Sequence, residues 1–451
     1  MKNQRADKPA VTDTACLMRP MHSICDAEAD RLRQKILTWP DTPVKAKKCW
    51  YLSPGGSDDN SGTSPEDAWA TVAGMQAHEA EIQAGDAVLF ERGGVFRGHI
   101  TARSGVTYAA YGEGDKPCLY GSRQNYAAAA WVPDGDGLWR MDIPDMTDVG
   151  IVVFDHGESV GFKKLSQAEL KKDGDFFCNA TSVWLKMHAD PATLYDSIEM
   201  GELNHLFLIT ESTHDVTIEN LTLKYTGGMA IEGICDVWNI TVRGCEIGWI
   251  GGSLLPGYKD GTVRFGNGIE FWRGCRQVLI EYCWIYQIYD SGFSHQGRGE
   301  FAVEDLVFCC NLIEYTAFAS IEFWAPTKGR NVMRRIAYRD NILRFAGYSW
   351  GSLERPDFQS KHLATTGSDN VCEDFLIRNN TLDTAAGDLV SCCFLAGKRP
   401  LLDGNRYVQY KGGHLGAYTL SRGTPGSCFD ERAAEVIGSE FGDKHATVEF
   451  L

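Results

Sequence analysis

What this 451-residue sequence lacks removes several classes of function at once. Basic residues are in the minority: 44 Lys and Arg stand against 60 Asp and Glu, for a formal net charge of −16. The densest basic run is only Lys45-Ala46-Lys47-Lys48. A nucleic-acid-binding face needs a positive patch, and so acidic a chain repels anionic polymers at long range. No nucleic-acid partner is therefore expected, and a neutral ligand suits the balance better. No apolar run approaches the roughly 20 residues that span a bilayer, and the opening MKNQRADKPAVTDTACLMRP has no apolar core of a leader. No membrane partner is expected either. The 15 cysteines contain no CxxC pair, whereas zinc sites want paired spacing with histidine partners. No metal or cofactor is called for. Cysteines set in apolar runs, as at Cys309-Cys310 and Cys392-Cys393, read as buried reduced thiols. Together with the missing leader they give the expectation of a cytoplasmic protein.

Glycine, by contrast, is plentiful at 48 residues, above the usual ~7%. This favours turns and short strands over helices. Hydrophobic residues at 43% suffice for a core, and aromatics reach 11%. Length fits one large domain or several ordinary ones and sets no oligomeric state.

The chain divides by texture. Residues 1–48 read as an extension whose segment Ser23 to Trp39 has helical apolar spacing at Ile24, Ala27, Leu32, Ile36 and Leu37 before Pro40 stops it. Such a helix would cap an open end of a sheet stack. Residues 49–122 are short β runs broken by turns, as in YLSPGGSDDNSGTSPEDAW and GVTYAAYGEGDKPCLYGS. Residues 123–200 are irregular, with expected strands at Gly150–Phe154 and Ser182–Met187 and a short helix at Ser166–Lys172. They read as a small inserted β-rich subdomain. Residues 201–424 form the main repeat, and 425–451 a C-terminal cap.

The repeat decides the fold. A motif of the form apolar-x-x-(Asn/Cys/Leu)-x-apolar recurs seven times, as IENLTL, VRGCEI, IEYCWI, FCCNLI, YRDNIL, IRNNTL and LDGNRY. Its fourth position is Leu221, Cys245, Cys283, Asn311, Asn341, Asn380 and Asn405, in steps of 24, 38, 28, 30, 39 and 25 residues. The shortest steps are too small for a helical hairpin, and their period-2 alternation speaks for strands. Repeats of this kind stack into a solenoid, here an all-β, right-handed parallel β-helix. Asparagines stacked in a buried turn bond along the axis, so this column serves the fold. The 38- and 39-residue steps carry insertions around 251–266 and 347–360 at one phase of the repeat. Both loops should leave the same side, and insertions gathered on one side mark a binding face.

Eleven residues beyond the fourth motif position lie Glu232, Ser294, Glu322 and Ser391, and the insertion in the second rung brings Glu270 into the same column. Rungs stack ~4.8 Å apart, which puts Glu270 and Glu322 ~10 Å apart between backbones. Asp290 enters the rung between them from the preceding turn. Carboxylates ringed by Trp272, Trp324, Tyr289, His295 and Gln296 have the composition of a sugar-hydrolysing site, where one carboxyl protonates the leaving oxygen and a second acts as nucleophile or base. Crowding beside aromatic faces raises one carboxyl pKa above another. The loops add Lys259, Arg264, Tyr348, Trp350 and Arg355 as walls, and His362 and Glu232 extend the patch. Each of these residues also has a purely structural use: an outward solvated Glu232, an Asp290 that bonds turn amides, tryptophans that pack between rungs, and histidines satisfied in the core.

With these residues in hand, the chain resembles the right-handed parallel β-helix proteins of the pectate-lyase-like superfamily. YLSPGGSDDNSGTSPEDAWAT, GDAVLFERGGVFRG and VTYAAYGEGDKP are similar to the opening segment of its carbohydrate-active members. GNGIEFW, IYDSGFSHQG and SIEFW resemble motifs of β-helix glycoside hydrolases of the β-xylosidase and fucosidase/xylanase kinds. The resemblance covers roughly residues 49–420. It implies a carbohydrate substrate, and an Asp and a Glu on neighbouring rungs. Asp290 and Glu322 match that placement, with Glu270 as third member. Glu322, between Ile321 and Phe323, suits the acid; Asp290 suits the nucleophile or base. Two other readings stay open: a polysaccharide lyase or uronate epimerase, in which Lys259, Arg264, Arg273 or His295 would serve, and a non-catalytic carbohydrate-binding solenoid.

Overall fold

The structure is a computed structural model that describes residues 21–297, 301–324, 332–355, 359–368, 371–394, 398–421 and 424–451. Residues 1–20 of the expected extension lie outside them.

Alternation along each strand sets the architecture. In Val237–Arg243 and Cys275–Glu281, Ile240, Val242, Val278 and Ile280 are buried while their neighbours face outward. The pattern recurs rung after rung, so Ile240, Val278, Leu306, Ile336 and Phe375 pair directly in one inward column. The rungs form three ten-stranded sheets, parallel apart from one antiparallel strand, Ser427–Phe429, at an edge. This is the right-handed parallel β-helix the repeat predicts.

The turn from the first sheet to the second carries the motif. The residue before each ladder position is left-handed: Asn220, Gly244, Tyr282, Cys310, Asp340, Asn379 and Gly404. Asn, Asp and Gly adopt that conformation readily, whereas Tyr282 and Cys310 do so at a cost of about 1–2 kcal/mol. The ladder offsets this. The Oδ1 of Asn341 accepts from the backbone N–H and the Nδ2 of Asn311, at 2.9 and 3.1 Å. Asn380 does the same for Asn341 and Asn405 for Asn380, at 2.8–3.1 Å. Asp443 closes the column, accepting from Asn405 Nδ2 at 2.8 Å. Cys245 and Cys283 continue it upward as free thiols.

The ends are closed by short helices. Val72 and Met75 of the helix Val72–Ala77 enter the core at one end, and Ala433, Ile437 and Phe441 at the other. The helix Asp26–Leu37 forms where expected but does not close an end. Ala29 and Ile36 pack on Leu312, Tyr282, Trp284 and Ile342, so it lies along the flank of the second sheet. Its charges fix it there: Arg33 meets Glu314 at 2.7 Å, Glu28 meets Arg406 at 3.0 Å, and Asp26 meets Arg344. Sequence spacing showed an apolar stripe but not which surface would receive it.

Between Cys118–Tyr120 of the second sheet and Phe207–Ile209 of the third, the chain leaves the solenoid and builds a five-stranded and a three-stranded sheet. These have an apolar core of their own, around Val152, Phe154, Phe176, Leu185 and Met200. Strands occupy Val149–Phe154 and Ser182–Lys186; in place of the expected helix at 166–172 there is a single turn, Gln167–Glu169.

Candidate active site

The third sheet presents the carboxylates. Glu232, Glu270, Ser294 and Glu322 pair directly across four successive strands. Ile231, Ile269, Phe293 and Ile321 point into the core, so period-2 alternation turns the carboxylate column outward. Two residues on, Trp272, Gln296 and Trp324 form a second outward column in the same register.

Asp290 sits at the corner between the second and third sheets. Its N–H donates to Gly266 O at 3.1 Å and its carbonyl accepts from Phe318 N–H at 3.1 Å. Gly266 must be glycine: φ is +135°, and a Cβ there would lie 2.2 Å from the Cα of Gly251. The Gly251–Gly266 contact thus closes the base of the first inserted loop and positions the acceptor for Asp290. From the second loop, Arg355 Nη1 meets Asp290 Oδ1 at 2.8 Å.

The carboxylates differ in environment. Glu322 accepts a hydrogen bond from Ser291 Oγ at 3.2 Å. Burial raises its pKa to about 7, helped by the Asp290 charge and opposed by Ser291, Arg355 and Lys361. Glu270 is only 4% exposed. It accepts from Asn267 Nδ2 at 2.9 Å and Gln296 Nε2 at 2.8 Å. Burial and the charges of Glu232, Glu322 and Asp290 nevertheless push it well above the usual range. Glu232 has a different partner. His205 Nδ1 accepts from Met229 N–H at 3.0 Å, and its Nε2 lies 3.0 Å from Glu232 Oε2. The patch therefore combines a proton-holding carboxyl, Glu322, with an Arg-paired carboxylate, Asp290, which is the division of labour acid–base chemistry requires.

Both inserted loops leave the solenoid at this one corner, as their shared phase predicts. They meet: Arg264 pairs with Glu354 at 2.8 Å. The excursion at 123–200 leaves at the same corner and joins them, with Lys163 N–H donating to Glu354 at 2.5 Å and Leu254 N–H to Asp148 at 2.8 Å. Three separate insertions thus build one wall beside the carboxylates. A cavity of about 630 Å³ lies at their junction, lined by Lys163, Lys259, Arg264, Tyr289, Glu354 and Arg355.

Four of the residues assigned to ligand binding lie elsewhere. His295 is fully buried against Phe323 and Phe375, hydrogen-bonds Tyr338 OH, and is pushed down to about 3 by burial. His362 is fully buried with Nδ1 2.9 Å from Ser320 Oγ and is likewise lowered to about 3. Both are neutral core histidines. Trp350 is buried, its Nε1–H donating to Gln287 O at 3.0 Å; it anchors its loop instead of facing a ligand. Tyr348, at the N-terminal end of that loop, is half-buried, near enough to Tyr410 to feel its charge. Asn267, Ser291, Lys361 and His205, which contact or tune the carboxylates, were not singled out by sequence, because they stand on turns or strand ends outside the repeating column.

No protein-family model matches the chain, and no curated protein matches it. Several solved structures align along most of the chain. Pectate lyase Pel9A aligns over 84% of this chain and 74% of its own, at 11% identity and a TM-score of 0.46. XylC in complex with xylose aligns over 81% and 68%, at 11% identity and a TM-score of 0.41. The family 28 exopolygalacturonase of Yersinia enterocolitica aligns over 89% and 78%, at 11% identity and a TM-score of 0.35.

Proposed function

We propose that the chain is a glycoside hydrolase acting on an oligosaccharide or glycoside, with Glu322 as general acid and Asp290 as nucleophile or base. The observation that carries this reading is the pairing of environments: Glu322 holds its proton to about pH 7 while Asp290, one rung away, is bound by Arg355. Glu322 protonates the glycosidic oxygen as the bond to the anomeric carbon breaks. Asp290 attacks that carbon, or deprotonates the water that does, and Glu322 is left as the carboxylate. Glu270, held by Asn267 and Gln296, orients the sugar, and Trp272 and Trp324 offer faces for the apolar side of a pyranose. An acidic patch and a formal net charge of −16 agree with a neutral substrate.

A second reading has one specific support. Lys361 and Arg355 both bring positive charge to Glu322, as a lyase or epimerase would need for holding a uronate. A screen of nitrophenyl glycosides and uronic polymers separates the two. Released nitrophenol with no new ultraviolet absorbance is the expected result; an unsaturated product from a uronic polymer would replace hydrolysis by elimination.

A further inference from the structure

The first inserted loop returns to the solenoid through Gly266 and Asn267, just before the strand Ile269–Trp272 that carries Glu270. Asn267 is buried, and both ends of its amide are engaged. Oδ1 accepts from the backbone N–H of Ser291 at 2.7 Å, and Nδ2 donates to Glu270 Oε2 at 2.9 Å. A backbone N–H only donates, so the amide oxygen must face Ser291 and the nitrogen must face Glu270. The amide therefore has one orientation, and it joins two neighbouring rungs. Ser291, itself fully buried, carries the link to a third rung, because its Oγ donates to Glu322 Oε2 at 3.2 Å.

Gly266, one residue back, accepts from Asp290 N–H at 3.1 Å. One turn thus holds the Glu270 side chain, the Asp290 backbone and the residue that contacts Glu322. Gln296, the other donor to Glu270, makes its second contact with Ser294 Oγ at 3.3 Å, within its own strand. The path between the two carboxyl groups runs through Asn267.

We infer that Asn267 is a positioning residue that couples Glu270 to the general acid, fixing Ser291 against Glu322 with one end of its amide and Glu270 with the other. The roles of the two carboxyl groups rest on the hydrolase reading; the link rests on the hydrogen bonds. Asp290, Glu270, Arg355 and Lys361 are the charged groups that face Glu322, and none is altered in the variants below.

The test is a double-substitution cycle read by the carbon-13 titration of the Glu322 carboxyl in labelled protein, a signal that needs no turnover. Ser291→Ala removes a donor that lowers the Glu322 pKa, so the midpoint should rise. Asn267→Ala, with Ser291 intact, should move it the same way, and the double variant should move it no further than Ser291→Ala alone. On a glycoside, Asn267→Ala should also cost on the order of 100-fold in kcat/KM. A midpoint unmoved by Asn267→Ala, wild-type kcat/KM in that variant, or shifts that add in the double variant overturns the coupling. Where Asn267→Ala does not fold, Asn267→Asp keeps the acceptor for Ser291 N–H and sets a second acceptor against Glu270. The Glu270 titration should then move to higher pH, since the amide donor lowers it now; a Glu270 midpoint left in place overturns the coupling as well. The hydrolase reading fails by a different result, wild-type turnover of a glycoside by Glu322→Gln.

Discussion

Two columns of polar side chains run along this solenoid in register, and they behave in opposite ways. In the turn between the first two sheets, Asn311, Asn341, Asn380 and Asn405 hand hydrogen bonds from rung to rung until Asp443 closes the series. On the outer face of the third sheet, Glu232, Glu270 and Glu322 share a column, and burial above all, with neighbouring carboxylate charges behind it, drives Glu270 and Glu322 above the usual carboxylate range. An amide both donates and accepts, and its repetition satisfies every partner. An ionised carboxylate only accepts, and its repetition satisfies none. Repeated amides satisfy one another and stabilise the stack; repeated carboxylates must find their partners outside the column.

The largest effect that would break this contrast is catalytic. Glu322→Gln should lower turnover of a glycoside with a poor leaving group by on the order of 100- to 10,000-fold, while sparing nitrophenyl substrates that need little protonation. Steady-state rates on the two substrate types decide it; equal losses on both would remove Glu322 from the acid role. Next comes the ladder. Asn341→Ala strips the acceptor from Asn311 and the donor from Phe308 O, and should cost about 3 kcal/mol or more in denaturant unfolding, at every pH. A loss under about 1 kcal/mol would mean that the ladder is dispensable.

The sequence made the columns legible because both follow the repeat. The offset of eleven residues from the motif placed Glu232, Ser294 and Glu322 together, and the strand pairing agrees. The same alternation carried a warning about His295: next to outward Ser294 and in register with Phe271 and Phe323, it belongs to the inward face. Its aromatic polarity drew attention that parity should have withheld. What the repeat does not govern was hidden. Trp350 turns inward because a loop packs its largest side chain, and no period reports which way a loop folds. That residues 123–200 share a wall with the two loops follows from Lys163 and Asp148 reaching Glu354 and Leu254, contacts between segments about 100 to 190 residues apart. The flank position of the helix Asp26–Leu37 depends on ion pairs with Glu314, Arg344 and Arg406, equally remote.

A smaller effect sharpens the contrast by its sign. The folded-state pKa of Glu322 stands near 7 against an ordinary 4.5. Its stabilising contribution is therefore complete below about pH 4.5 and lost as pH rises through 7. Gln mimics the protonated carboxyl at every pH. Glu322→Gln should match the wild type in thermal stability at pH 4 and exceed it at pH 8 by on the order of 1–2 kcal/mol, after allowance for solvent screening. A substitution in the carboxylate column that stabilises is the reverse of Asn341→Ala. A pH-independent difference between wild type and Glu322→Gln would show that the fold does not hold the proton on Glu322.

The smallest effect isolates the neighbours that set the Glu322 pKa. Lys361 is 7% exposed and lowers the pKa of Glu322; Asp290 raises it. Lys361→Met should consequently move the alkaline limb of kcat/KM to higher pH, because the acid keeps its proton longer. If Lys361 served packing alone, the profile would fall in height without moving along the pH axis. Asp290→Asn supplies the opposite sign. It removes a charge that adds to burial in holding the proton on Glu322, so the titration of the Glu322 carboxyl, followed by carbon-13 resonance in labelled protein, should shift to lower pH. Shifts in the same direction for the two variants would mean that they act by rearranging the corner and not by charge, and the electrostatic account of the acid at Glu322 would fall with them.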